Sequence, residues 1–106
     1  MRGDHLGEFE ELTLLSVRAL PPPAYALPVQ RFIHRTTGRD VALGAVYAAL
    51  DRLEQKGLVH SSIGQATPER GGKAKRLFAV SPAGTQMLRE LRGVRERIWK
   101  RIEERS

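Results

Sequence analysis

The sequence of 106 residues contains no cysteine, and only 6% of its residues are aromatic. Without cysteine the chain can form neither a disulfide nor a thiolate metal site, which fits a reducing compartment. With so few aromatic residues, the core must be built from Leu, Val, Ile and Ala. No run of about 18 apolar residues is present, and the start MRGDHLGEFEEL lacks the apolar segment of a signal peptide. We therefore expect a cytoplasmic protein that neither spans a membrane nor is exported.

The sequence also lacks the motifs of common catalytic and metal sites. The Gly-Gly-Lys sequence at 71–73 has neither the spacing nor the Ser or Thr of a phosphate-binding P-loop, and it precedes a predicted strand instead of a helix. His5, His34 and His60 fall in three different segments, with no carboxylate at ligand spacing. No Ser/His/Asp grouping indicates a nucleophile. The sequence therefore predicts no enzymatic activity, no cofactor and no metal ion.

Positive charge is what the sequence has in excess. Eighteen Lys and Arg against twelve Asp and Glu leave a net charge of +6 at pH 7. Such a surface favours an acidic partner, and nucleic acid is the first candidate, although a solvated basic surface would give the same composition. The length allows one domain with one modest core.

Three helices are predicted in the first half of the chain. The first covers residues 8–20, where apolar residues at helical spacing follow an acidic first turn and three prolines end the helix. The second begins near Leu27 and ends at Gly38 as its C-cap. The third covers residues 43–56, and its apolar stripe consists of Leu43, Val46, Tyr47, Leu50 and Leu53.

The other face of the third helix has little side-chain bulk in its first two turns and becomes polar or cationic further on. Small residues at these positions would let another molecule approach the backbone closely. This predicted open face consists of Gly44, Ala45, Ala48, Ala49, Arg52 and Gln55.

A hairpin and a last helix are predicted in the second half. The segments LVHSSI and KRLFAV are short, contain β-branched or aromatic residues and enclose a Gly- and Pro-containing tip, a pattern typical of two paired strands. Ser81 and Pro82 then form a good helix start. The apolar residues that follow form a heptad-like seam, which predicts a partner helix. They are Met87, Leu91, Val94 and Ile98.

This order of elements is that of a winged helix-turn-helix domain with an added C-terminal helix. The phrases LGAVYAALDRLEQKGLV and TPERGGKAKRLFAVSPAG resemble the PadR family of transcriptional regulators, and the resemblance extends from Leu6 to about Leu91. It implies that the first phrase is the recognition helix and that the second is the wing tip, its return strand and the start of the last helix. We expect a mainly α fold with a small antiparallel β-hairpin, a DNA-binding domain at 1–81 and a dimerisation helix at 82–106.

The sequence departs from the family pattern at three positions. Ala42 stands where a Ser or Thr often caps the recognition helix, so the cap falls to Asp40 or is missing. Leu77 replaces a frequent Tyr, which leaves Phe78 as the only aromatic residue of that strand. Ala74 interrupts a basic run.

The predicted chemistry is recognition of double-stranded DNA. The small residues at the start of the third helix can enter a major groove closely, with Ala methyl groups facing thymine methyl groups. Tyr47 matches a DNA-facing Tyr of the family, while its spacing places it beside the apolar stripe, and both positions stay open. The cations beside the Gly-Gly tip either contact the DNA backbone or minor groove or lie in a solvated turn. The predicted DNA-binding residues are Gly44, Ala45, Tyr47, Ala48, Arg52, Arg70, Lys73, Lys75 and Arg76.

The last helix is predicted to form a homodimer, with the first helix as the second half of the interface. The resemblance also implies a small aromatic effector near that interface, so Trp99 either packs between subunits or lines an effector pocket. The predicted function is an effector-responsive repressor that binds an inverted-repeat operator as a homodimer. The alternative is a winged-helix module that binds a partner protein, with an incidental basic charge. The predicted interface residues are Met87, Leu91, Val94, Ile98, Trp99 and Ile102.

Overall fold

The computed structural model describes residues 6–64 and 75–105. In this part of the chain, four helices and two strands follow one another in the predicted order, so the winged-helix fold class is confirmed. They are α1 (Glu8–Ala19), α2 (Ala26–Thr37), α3 (Leu43–Gln55), β1 (Val59–Ile63), β2 (Arg76–Val80) and α4 (Pro82–Arg105).

The ends of α1 and α2 lie where the local signals predict them. The acidic first turn of α1 faces the positive end of the helix dipole, and the Gly7 backbone N–H donates to Glu10 Oε1 at 3.3 Å. After Ala19 the backbone is extended and the prolines follow. Gly38 ends α2 with φ at 77°, and its N–H donates to the His34 carbonyl at 2.8 Å. Only glycine adopts this left-handed conformation at little cost.

The start of α3 has no side-chain cap. Ala42 occupies the N-cap position, and Asp40 contacts His34 instead of the helix. Of the two predicted alternatives, a cap from Asp40 or no cap, the structure therefore shows the second. The helix ends at Gln55, followed by Gly57 with φ at 75° and by a bond from the Leu58 N–H to the Leu53 carbonyl at 2.9 Å.

The predicted hairpin is confirmed as a two-stranded antiparallel sheet. Its register runs from Val59 opposite Val80 to Ile63 opposite Arg76. The connector between α1 and α2 adds a short third segment, because Ala24 pairs with Phe78 through hydrogen bonds of 2.9 and 2.6 Å. Residues 65–74, which include the Gly-Gly pair of the predicted wing tip, lie outside the described residues.

The core is aliphatic, as the composition predicts, with one aromatic residue at its centre. Phe78 is fully buried among side chains of α1, α2, α3 and β1. The larger aliphatic members of this core are Leu14, Val17, Val29, Ile33, Val46, Leu50, Leu53, Leu58 and Val59.

The predicted open face of α3 was wrong for one residue, Ala49. Ala49 is fully buried. The helical rotation puts it between the core residue Val46 and Arg52, whose side chain reaches Glu10 of α1. We attribute its burial to α1, which packs against this side of α3.

The last helix begins on the core and then leaves it. The Ser81 side chain caps α4 as predicted, accepting from the Gly84 N–H at 3.0 Å. Gly84 lets the helix cross the start of β1, since a Cβ there would lie 2.2 Å from the Leu58 carbonyl oxygen. The ion pair from Arg95 to Glu11 of α1, at 2.8 Å, ties the middle of the helix to the body. The residues after it extend outward, which contributes to overall dimensions of 58 × 30 × 21 Å.

Candidate nucleic-acid interface

The open face of α3 is present in the structure at its N-terminal end. Gly44, Ala45 and Ala48 are exposed, and a Cβ added at Gly44 would meet no atom within 4 Å. This helix end is bare enough for another molecule to reach the backbone. The structure thus brings three of the predicted DNA-binding residues together on one accessible surface.

Tyr47 lies at the edge of this face. Its side chain is outside the hydrophobic core, and the residue is 37% exposed. It is two turns before Glu54, which contacts the hairpin, so the Tyr47 ring lies on the side of α3 that faces the wing. Of the two alternatives for Tyr47, burial in the core is therefore not what the structure shows.

Asp51 is a residue of this surface that sequence reasoning missed. It lies two turns after Gly44 and one turn after Ala48, and its side chain is 50% exposed. A carboxylate at this position can accept a hydrogen bond from the exocyclic amine of cytosine and repels phosphate. The i, i+7 spacing from Gly44 was a signal that could have identified it.

Arg52 is held on the α1 side of α3 by a nearly buried carboxylate. Its Nε lies 2.7 Å from Glu10 Oε2, and Lys56 Nζ lies 2.6 Å from Glu10 Oε1. We call these three residues the Glu10 cluster. The bond from Lys56 lowers the pKa of Glu10, and the bonds from Arg52 and the Gly7 N–H add to this against the opposing effect of burial. One edge of the Arg52 guanidinium is therefore already occupied.

Arg76 is held between two carboxylates of α3. Its guanidinium lies 2.8 Å from Asp51 Oδ1 and 2.7 Å from Glu54 Oε1, and it stacks over the Phe78 ring at 4.9 Å. Glu54 also accepts from Ser61 Oγ at 2.6 Å, and this bond, followed by the one from Arg76, lowers the Glu54 pKa. We call Arg76, Asp51, Glu54 and Ser61 the Arg76 cluster. It fastens both strands of the hairpin to α3.

Of the other cations predicted for the wing, the structure describes only Lys75. Lys75 Nζ lies 3.5 Å from the centre of the Tyr25 ring, a cation–π contact at the base of the wing. Arg70 and Lys73 lie outside the described residues. The DNA contacts predicted for the tip stay predictions.

A cleft on the outer surface of α2 was not anticipated from the sequence. It has a volume of about 420 Å³ and reaches the turn before α3. Two Arg side chains four positions apart give it a basic wall, and a basic i, i+4 pair on a helix was the available signal. Its lining residues are Gln30, Arg31, His34, Arg35, Asp40 and Val41.

The predicted interface residues of α4 differ in exposure along the helix. Met87 is half-buried against the hydrophobic core, and Leu91 is also half-buried. Val94, Ile98 and Ile102 are exposed, and Trp99 is the most exposed of the set at 61%. Leu15 of α1 is exposed as well. We call the exposed residues Val94, Ile98, Trp99 and Ile102 the α4 apolar face.

Within residues 6–64 and 75–105, no helix has the length and hydropathy to cross a membrane. The same ranges contain no group of three or more His, Asp or Glu side chains that could hold a metal ion.

Comparison with known proteins relates the chain to one family. The model of the transcriptional regulator PadR-like family matches residues 14–90. No match was found among curated proteins.

Several solved structures have the same fold. A PadR-like transcription factor from Bacteroides fragilis is 19% identical, with a TM-score of 0.76 over 92% of this chain and 89% of that one. A PadR family regulator from Eggerthella lenta is 21% identical, with a TM-score of 0.71 over 91% and 79% of the two chains. One from Clostridium difficile is 19% identical, with a TM-score of 0.68 over 93% and 97%. At these identities the likeness concerns the fold.

Proposed function

The chain belongs to the transcriptional regulator PadR-like family, and from this membership we propose that it is a repressor that binds an inverted-repeat DNA operator as a homodimer. The observation that carries the proposal is the bare N-terminal end of α3, supported from one side by α1 and from the other by the hairpin. A helix presented in this way fits a major groove about 12 Å wide.

Contacts along α3 would divide into base reading and positioning. The methyl groups of Ala45 and Ala48 can contact thymine methyl groups, and Asp51 can accept from cytosine. Tyr47, at the wing side of the helix, would reach the sugar-phosphate backbone through its hydroxyl group. The hairpin, fastened to α3 by the Arg76 cluster, would place Lys75 and the tip against the adjacent backbone or minor groove.

The α4 apolar face supports the homodimer. Four large apolar side chains on one stretch of helix are costly to leave in water, and a second copy of the same face would cover them. Leu15 on α1 is available as the second half of such an interface. A two-fold dimer predicts two half-sites about 34 Å apart, one turn of DNA, arranged as an inverted repeat.

An effector site at this interface is part of the proposal. The indole of Trp99, the only tryptophan of the chain, is exposed within the α4 apolar face. A small aromatic molecule stacked on it would favour one spacing of the two α3 helices over another, and so would change operator affinity. Quenching of Trp99 fluorescence by such a compound, and loss of the compound's effect on operator affinity in Trp99→Ala, would support this part.

The proposal is tested by footprinting the purified protein on the DNA upstream of its own gene and on a random duplex of equal length. Two protected segments one helical turn apart, at nanomolar protein, are the expected result. Equal and weak affinity for both duplexes, or no binding at 50 mM salt, would overturn the proposal. That result would favour a winged-helix module that binds a partner protein.

A further inference from the structure

We propose that the cleft on the outer surface of α2 binds a phosphate group of the DNA backbone through Arg31 and Arg35. The inference rests on the proposed DNA-binding function and adds to it a contact outside α3 and the hairpin. It assigns to α2 a share of the charge that anchors the protein on DNA.

The described cations near α3 already contact other side chains of the protein. The helix itself carries Asp51 and Glu54 against Arg52, a net charge of −1. Three of the cations that flank it in the described part of the chain, Arg52, Lys56 and Arg76, already have carboxylate partners, and Lys75 lies over the Tyr25 ring. Paired cations release few counterions when they approach phosphate. The recognition helix therefore needs charge from elsewhere.

The cleft on α2 offers two guanidinium groups. Within residues 6–64 and 75–105, Arg31 and Arg35 make no ion pair with a carboxylate, and Arg35 stacks over Phe32 at 5.9 Å. Because the two guanidinium groups are four positions apart, they lie on the same side of α2. A guanidinium pair on one side of a cleft is suited to the oxygens of one phosphate.

The cleft lies close to the N-terminal end of α3. Gln30 Nε2 donates to the Val41 carbonyl at 2.8 Å, which holds the turn before α3 against α2. Gly44 follows Val41 by three residues, so the cleft ends within about 10 Å of the bare end of α3. The phosphates that border a major groove about 12 Å wide lie at a similar distance from a helix inside it.

One carboxylate opposes the phosphate in this cleft. Asp40 Oδ1 lies 2.9 Å from His34 Nδ1, so the imidazole takes part of its hydrogen-bonding capacity. Its side chain is otherwise solvated, and its charge lowers the affinity of the cleft for an anion. Removal of the Asp40 charge should therefore raise the affinity for DNA, whereas removal of the Arg charges should lower it.

The test measures operator affinity by fluorescence anisotropy between 50 and 300 mM NaCl. The double variant Arg31→Gln/Arg35→Gln is compared with Arg89→Gln/Lys100→Gln, which removes two charges from the side of α4 opposite its apolar seam. We expect the first variant to bind about tenfold more weakly, with a salt slope smaller by about 0.9 for each phosphate that the protein no longer neutralises. We expect the second to behave like the unmodified protein.

A third variant, Asp40→Asn, should bind about two- to fivefold more tightly, the range for one exposed charge. Unchanged affinity and slope in Arg31→Gln/Arg35→Gln would overturn the inference, as would equal losses in this variant and in the α4 control. In both of these cases the unmodified protein still binds its operator, so the proposed function stands. Absence of operator binding by the unmodified protein would instead overturn both.

Discussion

At the scale of the residue, single side chains join helices that the sequence separates widely. Glu10 is the clearest example, since its nearly buried carboxylate receives bonds from Arg52 of α3 and from Lys56, the C-cap of α3. Burial of a charged group costs free energy unless it is paired, and removal of one partner leaves the others uncompensated. Glu10 should therefore influence both the stability of the fold and the position of α3.

The variant Glu10→Gln should lower the free energy of unfolding by about 1–3 kcal/mol at pH 7, because two cations lose their carboxylate. The folded-state pKa of Glu10 lies below the ordinary value of 4.5, so its stabilisation is complete above that pH and disappears as the pH falls through the folded-state value. Urea unfolding of both proteins from pH 7 to pH 3 measures this. If the difference in free energy of unfolding between the two proteins stays constant from pH 7 to pH 3, the charge of Glu10 does not contribute to stability.

The glycine at 84 gives a second residue-scale prediction. In Gly84→Ala the new methyl group would overlap the Leu58 carbonyl oxygen, so α4 must shift, and we expect destabilisation by about 2 kcal/mol or more. Gly93 is the matched control in the same helix, because a Cβ there meets only the end of Arg97 at 3.4 Å. Gly93→Ala should stabilise the protein by about 0.5–1 kcal/mol. Thermal unfolding of the two variants measures these changes in stability. Equal changes in the two variants would contradict the close contact at Gly84.

At the scale of the element, the boundaries of helices and strands could be predicted because their signals are local. Glycines with positive φ end α2 and α3, and Ser81 caps α4 through its own side chain. The partners of Arg52 and Arg76 could not be predicted, because the carboxylates that bind them are brought close only by the folded chain. Ala49 was misplaced for the same reason, since periodicity gives the angular position of a residue but not which neighbouring element covers it.

The two cations at the base of the hairpin are expected to act differently. Arg76→Gln should loosen the hairpin from α3 and speed amide hydrogen exchange in β1 and β2, because the Arg76 cluster loses its centre. Lys75→Gln should leave that exchange unchanged and reduce the salt slope of DNA binding by about 0.9. Hydrogen exchange and anisotropy on both variants test this. The reverse pattern would make Arg76 the phosphate contact.

At the scale of the whole molecule, the chain combines a packed body with a protruding helix. The last ten residues of α4, 96–105, span about 15 Å beyond the ion pair between Arg95 and Glu11. An isolated helix end of this length is marginal in water, so a partner surface would stabilise it. The heptad-like spacing of α4 predicts such a partner, and the dimer stays a proposal. The half-buried state of Met87 could not be predicted, because it depends on how α4 crosses the body.

Ile98→Glu should convert the proposed dimer into a monomer and weaken operator binding by at least tenfold, because a charge would be buried at the centre of the interface. Lys100→Glu, on the opposite side of α4, is the control and should leave the dimer intact. Light scattering after size exclusion gives the mass of each. A dimeric Ile98→Glu would place the interface elsewhere on the molecule.

The pairing of Ala24 with Phe78 bears on how the protein avoids self-association through its sheet. A hairpin strand with a free edge exposes unpaired amide and carbonyl groups that can template a strand of another chain. Here the connector that follows three prolines occupies that edge of β2 at Phe78. Prolines cannot donate to a further strand, so the covering segment is itself a poor template. Substitutions that detach Ala24 should therefore first be visible as slow aggregation, before any loss of helix content.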